Sequence, residues 1–163
     1  MVSKQILSAM SEYEEKLKQY MSENNIRAEL LSLGKSCHTV QDAADAVGAD
    51  VDEIIKNICL VDSKGHFIVA IVKGAHRVST SRVAKIMGVE SARTATPDEI
   101  LDYSGYPVGG VPSFGFDAQV LIDPKVMEKE VVYSSGGSTT SLLKVSTKVL
   151  LESSRGRVVR IRK

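Results

Sequence analysis

Lys56 is the first residue in this 163-residue chain whose type and setting invite chemistry. It stands between the apolar pair Ile54-Ile55 and the strand-like run Asn57–Val61. A lysine at a strand entry can snorkel its ammonium to water. It can equally aim that ammonium into a cleft, where it would hold a phosphate or a carbonyl oxygen. Further along, Gly105-Tyr106-Pro107-Val108-Gly109-Gly110-Val111-Pro112-Ser113-Phe114-Gly115 places four glycines and two prolines in eleven residues. Such a backbone turns tightly, lets a ligand approach where no Cβ stands, and can point N–H groups at an anionic atom. A crossover loop without a ligand has the same composition, so both readings stay open. A third segment, Ser134-Ser135-Gly136-Gly137-Ser138-Thr139-Thr140, reads by itself as a polar hairpin loop.

Several familiar chemistries are missing. His38, His66 and His76 are not at metal-ligand spacing, and neither HExxH nor paired CxxC occurs. Gly109-Gly110 is not followed by the GK[ST] of a phosphate loop, and there is no GxGxxG and no GxSxG elbow. The expectation is no metal and no cofactor, with any hydrolysis resting on positioning and backbone electrostatics. Cys59 lies in an apolar run and reads as a buried, inert thiol. Cys37 stands near a helix start, a setting that can lower a thiol pKa.

The elements that must position these residues follow from periodicity and punctuation. Ile6, Met10, Tyr13, Leu17 and Tyr20 share one face of an amphipathic helix over residues 4–24. Ile26–Leu33 reads as a strand. Thr39 caps a short helix with Asp42 in box position, and Gly48 supplies its stop. Asp50 and Glu53 suggest a further helical turn. Asn57–Val61 and Phe67–Val72 form a hairpin around Asp62-Ser63-Lys64-Gly65, and their unbroken apolar character predicts cover on both faces. Ser79 or Thr80 opens a helix that includes Val83, Ile86 and Met87 and ends at Gly88. Thr96-Pro97-Asp98-Glu99 opens another, closing near Gly105. Strands are read at Ala118–Ile122, Val131–Tyr133, Leu142–Val145 and Val158–Ile161, with a short helix around Thr147–Glu152. Helices and strands mix without regular βαβ alternation, which predicts an α+β fold in a single domain spanning 1–163.

Composition is that of an ordinary globular chain, 43% hydrophobic and 25% charged, with no run long enough to span a bilayer and no signal-peptide pattern. A membrane is therefore not expected as a partner and the cytoplasm is the expected location; DNA is not expected as a partner either. Net charge is only +1, but Arg155–Lys163 holds five basic residues and no acidic one. A polyanion would be drawn to that 155–163 tail or to local clusters such as Lys73, Arg77 and Arg82. The bland alternative is a tail that merely solvates a terminal strand.

Taken in order, these pieces resemble the YbaK / prolyl-tRNA-synthetase-associated domain family. The resemblance runs over about residues 28–152. It is carried by Thr-Val-Gln-Asp-Ala-Ala at 39–44, Ile55-Lys56-Asn57, the hairpin, the helices at 79–87 and 96–102, Gly105-Tyr106, Gly109–Gly115, Val120–Asp123 and Gly136-Gly137. It implies a mixed, β-barrel-like sheet surrounded by helices, with the 4–24 helix and the basic tail outside the family core. It also implies a trans-editing deacylase that hydrolyses the ester of misacylated tRNA, with the tRNA 3′ end and an aminoacyl-tRNA synthetase as partners. Lys56 matches the family's essential lysine, thought to hold the substrate's terminal backbone. Gly109, Gly110, Val111, Pro112, Ser113, Phe114 and Gly115 match the loop that walls the aminoacyl pocket; Val111, Ser113 and Phe114 are read as its side-chain walls, although Phe114 reads equally well as core. Gly136, Gly137 and Ser138 belong to the second loop. Many members carry Ser-Pro or Pro-Pro where this chain has Pro112-Ser113. Members with alanine-type specificity carry a histidine where Ser138, Thr139 and Thr140 stand here, so the resemblance does not name the amino acid. Two other functions fit the residues. One is a non-catalytic RNA-binding module using the tail, Lys73, Arg77 and Arg82, although 5% aromatic content disfavours base stacking. The other is a hydrolase of small esters or thioesters.

Overall fold

Capping chemistry sets where the short helices begin and end. Thr39 accepts the Asp42 N–H and opens α2 (Val40–Val47). Ser79 accepts from Arg82 at the start of α3 (Thr80–Met87). Thr96 and Glu99 form a reciprocal box around α4 (Pro97–Ser104), with Pro97 in the first turn. Ser146 caps α5 (Thr147–Ser154). Gly48, Gly88 and Gly105 end the first three of these in the left-handed region, where the missing Cβ removes the steric penalty. Arg155 takes the same conformation after α5 at φ 54°. The computed structural model describes the backbone from Lys4 to Lys163 and side-chain surroundings from Glu12 onward. The long helix α1 spans Lys4–Glu23, so the expected packing of Ile6 and Met10 lies outside the described residues. No helix among the described residues is long and apolar enough to cross a membrane.

Among the described residues, eight strands form two sheets. β1 (Ala28–Ser32), β7 (Ser141–Ser146) and β6 (Val131–Ser135) pair antiparallel in that order. The larger sheet runs β4 (Ala92–Thr94), β2 (Ile55–Asp62), β3 (Phe67–Lys73), β5 (Gln119–Ile122), β8 (Arg157–Val158). β2 and β3 form the expected hairpin, while β5 joins β3 in parallel and β8 joins β5 in parallel. An isolated bridge between Ile54 and Tyr133 links the two sheets. The α+β architecture follows the sequence reading, but the barrel-like sheet is two separate sheets with no closed barrel among the described strands.

Alternation along the hairpin explains its unbroken apolar run. Ile55, Cys59, Val61, Val69 and Ile71 enter the main core, beneath Leu17 and Met21 of α1 and Leu150 of α5. The other face, Leu60, Ile68, Ala70 and Val72, packs under Val83 of α3 and Ile161 of the tail. Both faces are buried, as such a run requires. A third cluster seats Ala43 and Ala44 of α2 against Ile54, Tyr133 and Leu142.

The basic tail does more than solvate a strand end. Ile161 is fully buried, and Asp123, also fully buried, accepts the Ile161 and Arg162 N–H groups and the Arg162 guanidinium at 2.9 Å. The strand read at Val158–Ile161 is therefore a two-residue pairing, Arg157–Val158, followed by an irregular run anchored on Asp123.

Candidate active site

The larger sheet leaves a gap where the chemistry-bearing lysine sits. β3 pairs with β2 over Ile55–Val61, but β4 pairs with the opposite edge only at Leu60–Asp62. Beside the first half of β2 a cleft of about 320 Å³ opens. Ile54 to Cys59 line it consecutively, and because neighbouring strand residues face opposite sides, the cleft must meet the strand at its edge. Its apolar lining includes Ile55, Ile58, Ile100, Val108, Val111 and Leu142. Its polar lining is Lys56, Asn57, Thr94, Ser134 and Ser135, with His38 and Thr39 from the start of α2.

Lys56 is half-buried and stands opposite Val72. Among the described residues its ammonium makes no ion pair. Burial, and after it the positive charge of Arg77, pull its pKa below the ordinary lysine value of 10.5. An anion entering the cleft would relieve both effects.

Asn57, on the other face of the strand, fastens the glycine loop. Its Nδ2 donates to the Val111 carbonyl at 2.9 Å and to Ser134 Oγ at 2.8 Å. Its Oδ1 accepts from Ser113 Oγ at 2.8 Å, and Ser113 and Ser134 hydroxyls lie 3.0 Å apart. The two glycine loops then touch backbone to backbone. A Cβ on Gly110 would sit 2.6 Å from the Gly137 carbonyl oxygen, so only glycine fits there. Helix α1 backs both loops. Lys16 Nζ donates to the Gly105 carbonyl and lies over the Tyr106 ring, Tyr20 stacks on Phe114, and the Tyr13 carbonyl abuts Gly137.

Of the residues singled out from sequence, Lys56, Gly109 and Val111 line the cleft together. Gly110 and Pro112 are buried and are not in the lining. Ser113, Phe114 and Gly115 face a separate hollow shared with Tyr20 and Arg155, and Phe114 belongs to the main core. Gly136, Gly137 and Ser138 are buried behind the loop, where Ser138 bonds Ser141 and Glu14. The irregular backbone turns away after Val111, so one loop serves two sides. Lys73 and Arg77 lie at the β3 exit near Lys56, whereas Arg82 is exposed on α3 and outside the lining. Cys37 lines the cleft, but burial raises its thiol pKa more than Lys35 lowers it, the reverse of an activated thiol. Burial pushes Cys59 up to about 12. Sequence reasoning gave no role to Asn57, Ser134 or His38. Asn57 did carry a signal, being the polar residue inside an apolar strand. Among the described residues, no three His, Cys, Asp or Glu side chains gather where they could hold a metal ion.

The profile of the aminoacyl-tRNA editing domain matches residues 34–152, which contain the whole cleft lining. The chain belongs to that family. A Bacillus subtilis protein, uncharacterized protein YwhH, is 27% identical over 125 residues, 76% of this chain and 79% of that protein. Proline–tRNA ligase of Trichlorobacter lovleyi is 27% identical over 84 residues, 52% of this chain but only 15% of the ligase. A crystal structure described as a proposed trans-editing enzyme for prolyl tRNA synthetase superposes with a TM-score of 0.86 at 25% identity, covering 93% of this chain and 97% of the other.

Proposed function

We propose that this editing-domain protein hydrolyses, in trans, the ester joining a wrongly attached amino acid to the 3′ end of tRNA. The observation that carries the reading is one cleft offering an unpaired Lys56 ammonium beside the Gly109–Val111 backbone on an editing-domain fold. Lys56 holds the terminal nucleotide by charge, and the loop backbone orients the aminoacyl carbonyl. Water attacks the carbonyl carbon, the bond to the ribose oxygen breaks, and a free amino acid and a free hydroxyl leave. The apolar lining favours a small uncharged side chain, and its walls exclude larger ones sterically, since a pocket gains only about 1–3 kcal/mol per methylene. Action in trans is suggested by the neighbour described as a trans-editing enzyme, which superposes over 93% of this chain at 25% identity. A prolyl-tRNA synthetase is the partner this reading names, and the cytoplasm, where tRNA is charged, is the location it requires.

The test is a panel of misacylated tRNAs presented to the purified chain and to Lys56→Ala. Release of at least one amino acid is expected from the parent. The variant is expected to lose on the order of 10²-fold or more while keeping its melting temperature, as for removal of a positioning group. Turnover by Lys56→Ala near the parental rate refutes the mechanism.

A further inference from the structure

Two cations, Arg77 and Lys163, meet where the tail pairs with the segment after β3, and Arg77 lies near Lys56. Lys56 shares its strand face with Ile58 and Leu60, and that face covers the second core, to which the tail contributes Ile161. The tail then runs antiparallel to the segment after β3. Val78 bridges Arg162, the Ser79 N–H donates to the Ile161 carbonyl at 2.7 Å, and the Lys163 N–H donates to the Arg77 carbonyl at 2.9 Å. This register sets Lys163 opposite Arg77, and both side chains are exposed. Like charges directly opposite each other destabilise a strand pair. Arg77 in turn stands close enough to Lys56 to oppose its protonation. Neither the Arg77 nor the Lys163 side chain pairs with an Asp or Glu side chain among the described residues, and Asp123 and Glu128 are engaged by Arg162 and Lys125. The fold thus sets Lys163 opposite Arg77 despite their like charge, with Arg77 in turn near Lys56. It anchors Lys163 with the buried Asp123 and Ile161, beyond the stretch matched by the editing-domain profile.

We propose that Lys163, set opposite Arg77 by the tail, extends the Lys56 cation into a track for the phosphodiester backbone of the RNA strand whose 3′ end enters the cleft. The proposal rests on reading the cleft as an RNA 3′-end site. A single phosphate is served by one ammonium. A row of cations leading out of a cleft fits repeated phosphates, and the tail is then part of the substrate surface.

The experiment measures equilibrium binding of uncharged tRNA to the full chain across a salt series. The variants are Arg77→Ala, Lys163→Ala, the charge reversal Lys163→Glu, and the control Lys64→Ala. Lys64 sits in the β2–β3 turn, roughly 25 Å from Lys56 at about 3.3 Å per strand residue. Each lost phosphate contact lowers the slope of log K against log[salt] by about 0.7–0.9. That drop is expected for Arg77→Ala and Lys163→Ala, with weaker binding still for Lys163→Glu and an unchanged slope for Lys64→Ala. Parental slopes in the Lys163 variants overturn the track, as does an equal drop in Lys64→Ala or a failure of the parent to bind RNA. Turnover of misacylated tRNA by the parent is measured separately. Altered slopes without turnover support the track and refute the deacylase, and turnover with unaltered slopes does the reverse.

Discussion

Replacing Asn57 with alanine removes the fastening between β2 and the glycine loop at a single point. The amide makes three bonds, to the Val111 carbonyl, Ser134 Oγ and Ser113 Oγ. Ser113 and Ser134 are almost fully buried, but they keep their contact with each other at 3.0 Å. Their two bonds to Asn57 are therefore worth about 1 kcal/mol each, while the Val111 carbonyl, left without a partner, costs about 1–3 kcal/mol. The total is about 3–5 kcal/mol, a large share of the 5–15 kcal/mol that typically holds a domain together. Asn57→Asp separates the parts. It keeps an acceptor for Ser113 and allows the Ser134 hydroxyl to turn and donate, yet sets an oxygen against the Val111 carbonyl. A cost of at least about 1–3 kcal/mol is expected from the orphaned Val111 carbonyl, with the repulsion of the new oxygen added at that contact. Urea unfolding with an unchanged m-value measures both. Deacylation is then assayed well below the unfolding midpoint, where the population is folded. A glycine loop displaced by about 1 Å is expected to cost about 10²-fold in kcat/KM. Parental stability together with parental turnover in Asn57→Ala refutes the idea that this amide positions the loop.

Gly110→Ala drives a Cβ into the Gly137 carbonyl, which is backbone and cannot rotate aside; a loss of about 1–3 kcal/mol and of turnover is expected, read by urea unfolding and deacylation. Asp123 tests the tail anchor. Burial alone would raise its pKa, but the N–H groups of Ile161, Lys125 and Arg162 and the Arg162 guanidinium outweigh that and hold it below the ordinary 3.8. Its ionised form therefore stabilises the fold above that value, and the contribution fades as pH falls through the lower folded-state pKa. Asp123→Asn is expected to cost about 2–3 kcal/mol at neutral pH and to flatten the acid limb of a melting-temperature series; an unchanged limb counts against the anchor. Lys56 loses its charge as pH rises, so binding of adenosine monophosphate is expected to weaken below the ordinary lysine value of 10.5. Arg77→Ala is expected to move that weakening to higher pH, and a limb indifferent to Arg77 removes the coupling.

Elements that declare themselves through local chemistry were legible. Thr96-Pro97-Asp98-Glu99 encodes α4 because Thr96 and Glu99 satisfy, and the Pro97 ring omits, a backbone donor within four residues. The hairpin likewise announced its two-sided burial through its composition. β4 escaped because Ala92–Thr94 has no strand pattern of its own and is extended only by pairing with Leu60–Asp62. β8 is short for the same reason, its neighbours being held by Asp123 instead of a ladder. In the cleft, the residue types of Lys56 and the glycine loop were visible. Which loop residues face it was not, since an irregular backbone has no period to read. Ser113, Phe114 and Gly115 turn to the other side. The apolar stripe on the N-terminal helix was plain as well, but its place behind both glycine loops is a tertiary fact, set by where Leu17 and Met21 find the core.

The titratable lining narrows the chemistry. No Asp or Glu lines the cleft, so a carboxylate base is not at hand there. Both lining thiols have pKa values raised by burial and stay protonated at neutral pH, which denies them the role of nucleophile. His38 is exposed, and its only described hydrogen bond is from its backbone N–H to Ser36, so nothing orients its ring as a nucleophile–base pair requires. What remains is a fixed positive charge, a loop of backbone dipoles locked by Asn57, and an apolar wall. Those can hold an already activated ester and a water in reacting geometry, a source of acceleration that in well-oriented systems reaches effective molarities of about 10⁵–10⁸ M. Catalysis of that kind has a mutational signature. Damage to Lys56, Asn57 or Gly110 should each remove most of the rate, and combining them should remove little more, because geometry lost once is not lost again.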